Sequence, residues 1–361
     1  MKLLLKNGQE FLGVSVASDR PVAGEVVFNT SMAGYIESMT DPSYAGQILV
    51  FTYPLIGNYG VPKRATRNNV LRRPYESKRI QVKGIVVQNY IDDYSHHAAS
   101  ASLAEFCSSA GVPALSGVDT RALTQLLRES GTMEGWLVPE SWTLEESMEK
   151  LQQPDFVNDV FPRICSPETQ IYGEAGKTVL LVDVGVKENI LRSLLARDLT
   201  VCRAPWHADL GSLAKQVDAI VIGNGPGDPQ DLTELVAVLR RILEQFDKPV
   251  LGICLGNQLL ALAAGASTYK LPYGHRGVNQ PVQELETRRC FITSQNHGYA
   301  VDDTSIPDGW TPWFRNLNDN TNEGIRCKGR PFLGVQFHPE GCPGPDDTAH
   351  VFDEFAERLN R

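Results

Sequence analysis

Between Lys177 and Ala264 the chain alternates near-continuous apolar runs with helix-length amphipathic stretches, and no other feature constrains its fold as much. Lys177-Thr-Val-Leu-Leu-Val-Asp183, Val217-Asp-Ala-Ile-Val-Ile222 and Lys248-Pro-Val-Leu-Gly-Ile253 read as strands, and Lys187–Arg197, Asp231–Phe246 and Leu255–Ala264 as helices. Strands apolar on both faces need cover on both faces, which means a parallel sheet flanked by helices on either side. The expected fold class is α/β, with a mostly parallel, doubly wound sheet in the C-terminal half. A site in such a fold lies beyond the carboxyl ends of the strands.

Residues 1–145 read differently, as a β-rich α/β domain. Short apolar runs recur, at Glu25–Phe28, Gln47–Tyr53 and Ile80–Val87, separated by turn signals such as Asp41-Pro42, Pro54 and Gly57-Asn58. Helical patterns follow at Ser102–Ala110 and Asp119–Ser130, the second with Asp119 as its N-cap. A charged helical segment, Ser141–Gln152, leads into Pro154, Pro162, Pro167 and Gly173. The expected organisation is an N-terminal domain over 1–145, a linker over 146–176 and a C-terminal domain over 177–361, and 361 residues suffice for two domains.

Composition excludes several classes. Against 43 acidic residues stand 34 basic ones, so the net charge of −9 rules out a broadly basic nucleic-acid surface and leaves only a local basic patch open. The most apolar stretch, Val250–Ala266, is broken by Asn257 and Gln258 and falls short of the ~20 residues of a membrane span. The opening Met-Lys-Leu-Leu-Leu-Lys is too short for a signal-peptide core. Seven widely spaced cysteines with no Cys-x-x-Cys point to a reduced cytoplasmic protein without a disulfide framework or zinc cluster.

Three motifs carry chemistry. Gly252-Ile-Cys254-Leu-Gly256 falls where a buried strand meets a helix and has the form of a nucleophile elbow, with cysteine as nucleophile. Side chains two before and two after the nucleophile would clash in so tight a turn, hence the glycines. The elbow sets the sulfur at a helix N-terminus, where the dipole favours thiolate; the plain alternative is a buried structural cysteine. Gly334-Val-Gln-Phe-His338-Pro-Glu340 follows an apolar strand. Positions i and i+2 of an extended chain share a face, so Glu340 can orient His338, giving nucleophile, base and orienter. Asn224-Gly225-Pro226-Gly227-Asp228-Pro229 follows the strand ending at Ile222 and lacks the spacing and lysine of a phosphate loop. It fits an oxyanion better, with a second N–H from Leu255.

Gly225–Pro229, Gly252–Gln258 and His338-Pro-Glu340, in this order, resemble class I (triad-type) glutamine amidotransferases over residues 177–361. Phe28-Asn-Thr-Ser-Met-Ala-Gly-Tyr35, Thr40–Tyr44, Thr52–Gly60, Gly117-Val-Asp-Thr-Arg121 and Ser294–Asp302 look like the small-subunit family of carbamoyl phosphate synthetase, along essentially the whole chain. The resemblance implies hydrolysis of L-glutamine through a Cys254 thioester. His338 would shuttle protons and Glu340 would hold His338. Gly227 and Leu255 would form the oxyanion hole, and Ser43, Gly225, Gly227, Leu255, Gln258, Asn296, Gly298 and Tyr299 would contact glutamine, with Ser43 reaching the site from the N-terminal domain. It implies no metal or cofactor on this chain. ATP and Mg2+, with K+ a further candidate, would serve a large subunit that joins this chain as a heterodimer or an oligomer of heterodimers, with no nucleic acid or membrane involved. Two other readings stay open, a stand-alone cysteine hydrolase of the same half-fold and a catalytically dead scaffold subunit. Many members carry His at the position of Asn257, and Ala-Ser where Gly341-Cys342 follow Glu340; Cys342 reads as a packing residue.

Overall fold

The computed structural model describes residues 1–174 and 176–359 and divides into two compact units, Met1–Val160 and Phe161–Arg361. The first is built on an eight-stranded sheet in the order Glu10–Leu12, Lys2–Leu5, Met133–Val138, Val22–Asn29, Gln47–Phe51, Gly84–Val86, Ala114–Ser116, Val14–Ser15. The expected run Ile80–Val87 is strand only over Gly84–Val86. The N–H of Gln81 bonds the Met39 carbonyl instead of a neighbouring strand. Helices Leu103–Ser109 and Thr120–Ser130 begin where their caps predict. Ser102 and Glu105 form a reciprocal capping box, and the Asp119 carboxylate accepts from Ala122 N at 2.9 Å. The second helix buries Leu123 and Leu127.

The division falls inside the stretch read as linker, whose described residues carry helix before it and helix and strand after it, residue 175 lying outside the described residues. Helix Leu144–Lys150, capped by Thr143, leads to Leu151, whose carbonyl accepts from Trp136 Nε1 at 3.3 Å. Trp142, Leu144 and Leu151 pack on Leu4, Ala23, Trp136 and Val138. Proline-rich composition signals turns there, but the apolar contact of Leu151 ties the start of the stretch, before residue 161, to the first unit.

In the second unit we label strands β1 (Gln170–Tyr172), β2 (Thr178–Asp183), β3 (Thr200–Pro205), β4 (Ala219–Ile222), β5 (Val250–Ile253), β6 (Thr268–Glu284), β7 (Cys290–Val301), β8 (Trp310–Asn316), β9 (Asn322–Cys327) and β10 (Phe332–Val335). The main helices are α1 (Glu188–Leu195), α2 (Leu210–Ala214), α3 (Thr233–Gln245), α4 (Leu255–Ala264) and α5 (His350–Arg358). One ten-stranded sheet runs β1-β3-β2-β4-β5-β10-β9-β8-β6-β7. Its core, β3-β2-β4-β5-β10, is parallel. The three strands read from sequence are its centre, and Val179, Leu180 and Leu181 are wholly buried. This is the expected α/β class.

Sequence periodicity did not reveal β3 or the antiparallel extension β6–β9. β3 carries a buried arginine, Arg203, whose Nε lies 2.7 Å from Asp183 Oδ2 and whose Nη1 lies 3.0 Å from Glu188 Oε1. A paired internal charge breaks the apolar run by which a buried strand is recognised. Among the described residues no helix is long and apolar enough to cross a membrane.

Candidate active site

β5 ends at Ile253, α4 starts at Leu255, and Cys254 between them takes φ 55°, ψ −107°. That backbone is strained for a non-glycine residue. A Cβ on Gly252 would stand 2.5 Å from the Gly256 carbonyl oxygen, and a Cβ on Gly256 would overlap the Ile222 carbonyl of β4. The elbow therefore requires both glycines, as the motif implied. Gly256→Ala is expected to cost more than about 4 kcal/mol because the overlap is with backbone, which has nowhere to move. Chemical denaturation checks this, and a variant within about 1 kcal/mol of wild type would show that the elbow relaxes.

His338 lies three residues beyond β10, its N–H bonded to the Ser294 carbonyl of β7 at 2.9 Å. Its Nδ1 is 2.7 Å from Glu340 Oε1, and both residues are buried. His338 Nε2 has no hydrogen bond of good geometry among the described residues, and the Cys254 sulfur is near enough to act on it electrostatically. Burial opposes the imidazolium, but Glu340 and then Cys254 outweigh it and raise the His338 pKa to about 10. Burial likewise opposes ionisation of Glu340, and Lys187 and His338 hold its carboxyl down at about 2. The pair is imidazolium and carboxylate at neutral pH.

Lys187 was not singled out in the sequence. It is buried, with Nζ 3.1 Å from Glu340 Oε1 and donating to the Gly341 carbonyl at 2.6 Å. Its own N–H bonds Asn224 Oδ1 at 2.9 Å, which ties the glycine-rich loop to the start of α1. Next to it, Asn189 Nδ2 donates to the Glu340 carbonyl.

The remaining expected residues fall into three groups. Gly225 packs against the Val184 carbonyl and the Leu255 side chain, and Gly227 takes φ +89°, so the loop lies beside the elbow. Gln258 on α4 is buried and donates to the Tyr299 carbonyl at 2.8 Å; the same carbonyl is 2.8 Å from His297 Nδ1. The Cys254 thiol lies 3.6 Å from the Asn296 carbonyl, with Gly298 and Tyr299 following on β7. The structure thus brings together Cys254, Leu255, Gln258, Gly225, Gly227, Asn296, Gly298, Tyr299, His338 and Glu340. Ser43 lies in the first unit, buried on the turn Pro42–Tyr44, its N–H capped by Asp41 Oδ1 at 2.8 Å.

Donor atoms of His275, His297 and Glu323 lie within 4.8 Å of one another, a spacing that can hold a cation. Their hydrogen bonds describe an ion-paired histidine instead. His275 Nε2 is 2.9 Å from Asp319 Oδ2 and its Nδ1 is 3.3 Å from Glu323 Oε1. Against the burial that opposes it, these carboxylates raise His275 to about 9, while burial and the facing His275 charge hold His297 well below the ordinary histidine range. A raised pKa means the stabilisation is complete below the unfolded value of ~6.5 and is lost as pH rises through about 9. Wild-type thermal stability should fall across that window, and His275→Gln should lose about 2–3 kcal/mol at pH 6 and flatten the decline. Equal pH slopes in the two proteins would refute the assignment.

A cysteine elbow beside a buried His–Glu pair at the carboxyl edge of a doubly wound sheet is the arrangement of a cysteine-nucleophile, triad-type enzyme. Residues 180–358 match the sequence model of the family described as glutamine amidotransferase class-I, and residues 3–137 that of the carbamoyl-phosphate synthase small chain, CPSase domain. The chain is 47% identical over 359 residues to the carbamoyl phosphate synthase arginine-specific small chain of Phaeosphaeria nodorum, covering 99% of this chain and 75% of that one. To the protein so named in Schizosaccharomyces pombe it is 45% identical over 358 residues, covering 98% and 86%. A solved glutamine amidotransferase from Thermotoga maritima is 20% identical, with TM-score 0.35, over 46% of this chain and 77% of that one. The chain belongs to the carbamoyl phosphate synthase small-chain family, the glutamine-amidotransferase subunits of the glutamine-hydrolysing synthase.

Proposed function

We propose that this chain hydrolyses L-glutamine to glutamate and ammonia and passes the ammonia to a large subunit, which makes carbamoyl phosphate from bicarbonate and two ATP. The observation that carries the reading is Cys254 on a strained elbow beside a His338 whose Nδ1 is held by Glu340. In this mechanism the Cys254 sulfur attacks the side-chain amide carbon, its proton having passed to His338 Nε2. The oxyanion takes the N–H groups of Gly227 and Leu255. On collapse His338 returns the proton to the departing nitrogen, ammonia leaves, and a γ-glutamyl thioester remains. Water, deprotonated by His338, then attacks the thioester and releases glutamate and the thiol. Glu340 keeps the imidazole oriented and stabilises its charged form throughout.

Ser43, Gly225, Gln258, Asn296, Gly298 and Tyr299 would contact the substrate. Ammonia would travel inside protein, since free ammonia at neutral pH protonates and ceases to be a nucleophile. ATP and Mg2+, with K+ a candidate, belong to the large-subunit steps, and this chain would carry no cofactor of its own. The partnership would be a cytoplasmic heterodimer or an oligomer of heterodimers. The relatives' names support arginine synthesis as the destination, and by resemblance the product would also feed pyrimidine synthesis.

The test is carbamoyl phosphate formation from glutamine, bicarbonate and ATP by this chain mixed with the large subunit of its own genome, each omitted in turn. Synthesis from glutamine only when both are present supports the reading. Free glutamate release with no response to the partner would move a stand-alone hydrolase to the front.

A further inference from the structure

Gln336 is wholly buried between β10 and His338, and no step above uses it. Its Nε2 lies 3.8 Å from the Cys254 sulfur. Its Oε1 accepts from Gln258 Nε2 at 3.1 Å and, more weakly, from Asn257 Nδ2 at 3.4 Å. Which end of each amide is nitrogen follows from chemistry. The Tyr299 carbonyl can only accept, so the Gln258 atom 2.8 Å from it is the NH2 group. The Gln336 atom facing that NH2 is then the oxygen, and the Gln336 NH2 must face the sulfur.

We propose that Gln336 acts on both sides of the reaction, donating an N–H to the Cys254 thiolate and, through its oxygen, fixing the Gln258 amide. With both contacts of Gln258 made through Nε2, its Oε1 is left as an acceptor available to the substrate. Among the described residues it has no hydrogen-bond partner. A site that presents an acceptor takes an N–H of glutamine and repels a carboxylate oxygen, so the amide chain also favours an amide or ammonium group over an acid. The substrate side of this proposal rests on the glutamine reading above; the sulfur side does not.

Two variants of the full chain, assayed with its large subunit, separate the two sides. Gln336→Met removes both contacts at nearly constant length, and Gln336→Glu keeps the acceptor but loses the donor. The readouts are the pH dependence of iodoacetamide alkylation at Cys254, followed by peptide mass, and glutamine KM against kcat. Loss of a donor to a charged sulfur should raise the alkylation midpoint by about one unit in Gln336→Met and further in Gln336→Glu. Glutamine KM should rise about tenfold in Gln336→Met and stay near wild type in Gln336→Glu. A purely structural glutamine would leave the midpoint of folded Gln336→Met unmoved, and that result overturns the sulfur contact; equal KM in Met and wild type overturns the Gln258 role. Should the Met variant not fold, Gln336→Asn, which withdraws the amide by one methylene, is read in the same way. If even wild type fails to turn over glutamine while the alkylation shift is seen, the functional reading falls and the sulfur contact stands.

Discussion

Cys254→Ala is expected to abolish carbamoyl phosphate synthesis from glutamine in the assembled enzyme while leaving synthesis from added ammonium salts at the wild-type rate. The loss should be on the order of 10⁴-fold or more, because the proposed thioester forms on this sulfur and triad members act as a unit. Cys254 is buried, its backbone is held by neighbouring β5, β10 and α4, and alanine keeps the Cβ. The substitution therefore removes a sulfur without disturbing the elbow. The two assays, run on one preparation, make the prediction sharp. Loss of both activities would mean that Cys254 matters to assembly. Retention of glutamine use would transfer the nucleophile to another group, with Cys342 the first to test. That residue is also buried, with Arg192 Nη2 3.9 Å from its sulfur.

The second large effect is expected at Lys187. Lys187→Met leaves Glu340, held ionised chiefly by this lysine against burial, with His338 as its remaining charged partner among the described residues. Removing one member of a buried ion pair costs about 3–5 kcal/mol, far more than the pair itself contributes, because the other charge is left in a low-dielectric interior. Glu340 should then titrate higher, so that acid inactivation begins at higher pH. In wild type the depressed Glu340 pKa gives stability that is present above the unfolded value of ~4.3 and is lost as pH falls toward about 2. The double variant Lys187→Met/Glu340→Gln should be more stable than Lys187→Met alone, since the stranded carboxylate is gone and His338, no longer facing it, can release its proton and sit neutral. Denaturant titration of the four proteins of this cycle provides the measurement, and strict additivity would show that the two side chains do not depend on each other.

Much of the site was legible because its chemistry is local. The elbow needs residues at i−2, i and i+2, and His338 and Glu340 meet because they are two apart after a strand, so short spacings announced them. The same holds for Asp119, whose cap acts within three residues. What was missed acts over long separations. Lys187 reaches the Gly341 carbonyl across 154 residues of chain, and a lysine opening a helix looks like any solvated lysine until the fold buries it. Gln336 lies inside the Gly334–Glu340 motif, where nothing local in the sequence marks a role for it. A buried amide shows its function only by what it faces, here a sulfur 82 residues away. Strand β3 was overlooked because its buried arginine is paid for by Asp183 and Glu188, partners no window of sequence displays together.

By itself the sequence determined the wound α/β half, the order of its central strands and helices along the chain, the cysteine turn and the His–Glu pair, since each follows from periodicity or from contacts a few residues long. The tertiary structure decided which charges and amides surround that pair, where the proline-rich stretch divides between the two units, and how β6–β9 extend the sheet. Those outcomes depend on pairing and burial between residues far apart in the chain, and such contacts leave no periodic trace in a sequence.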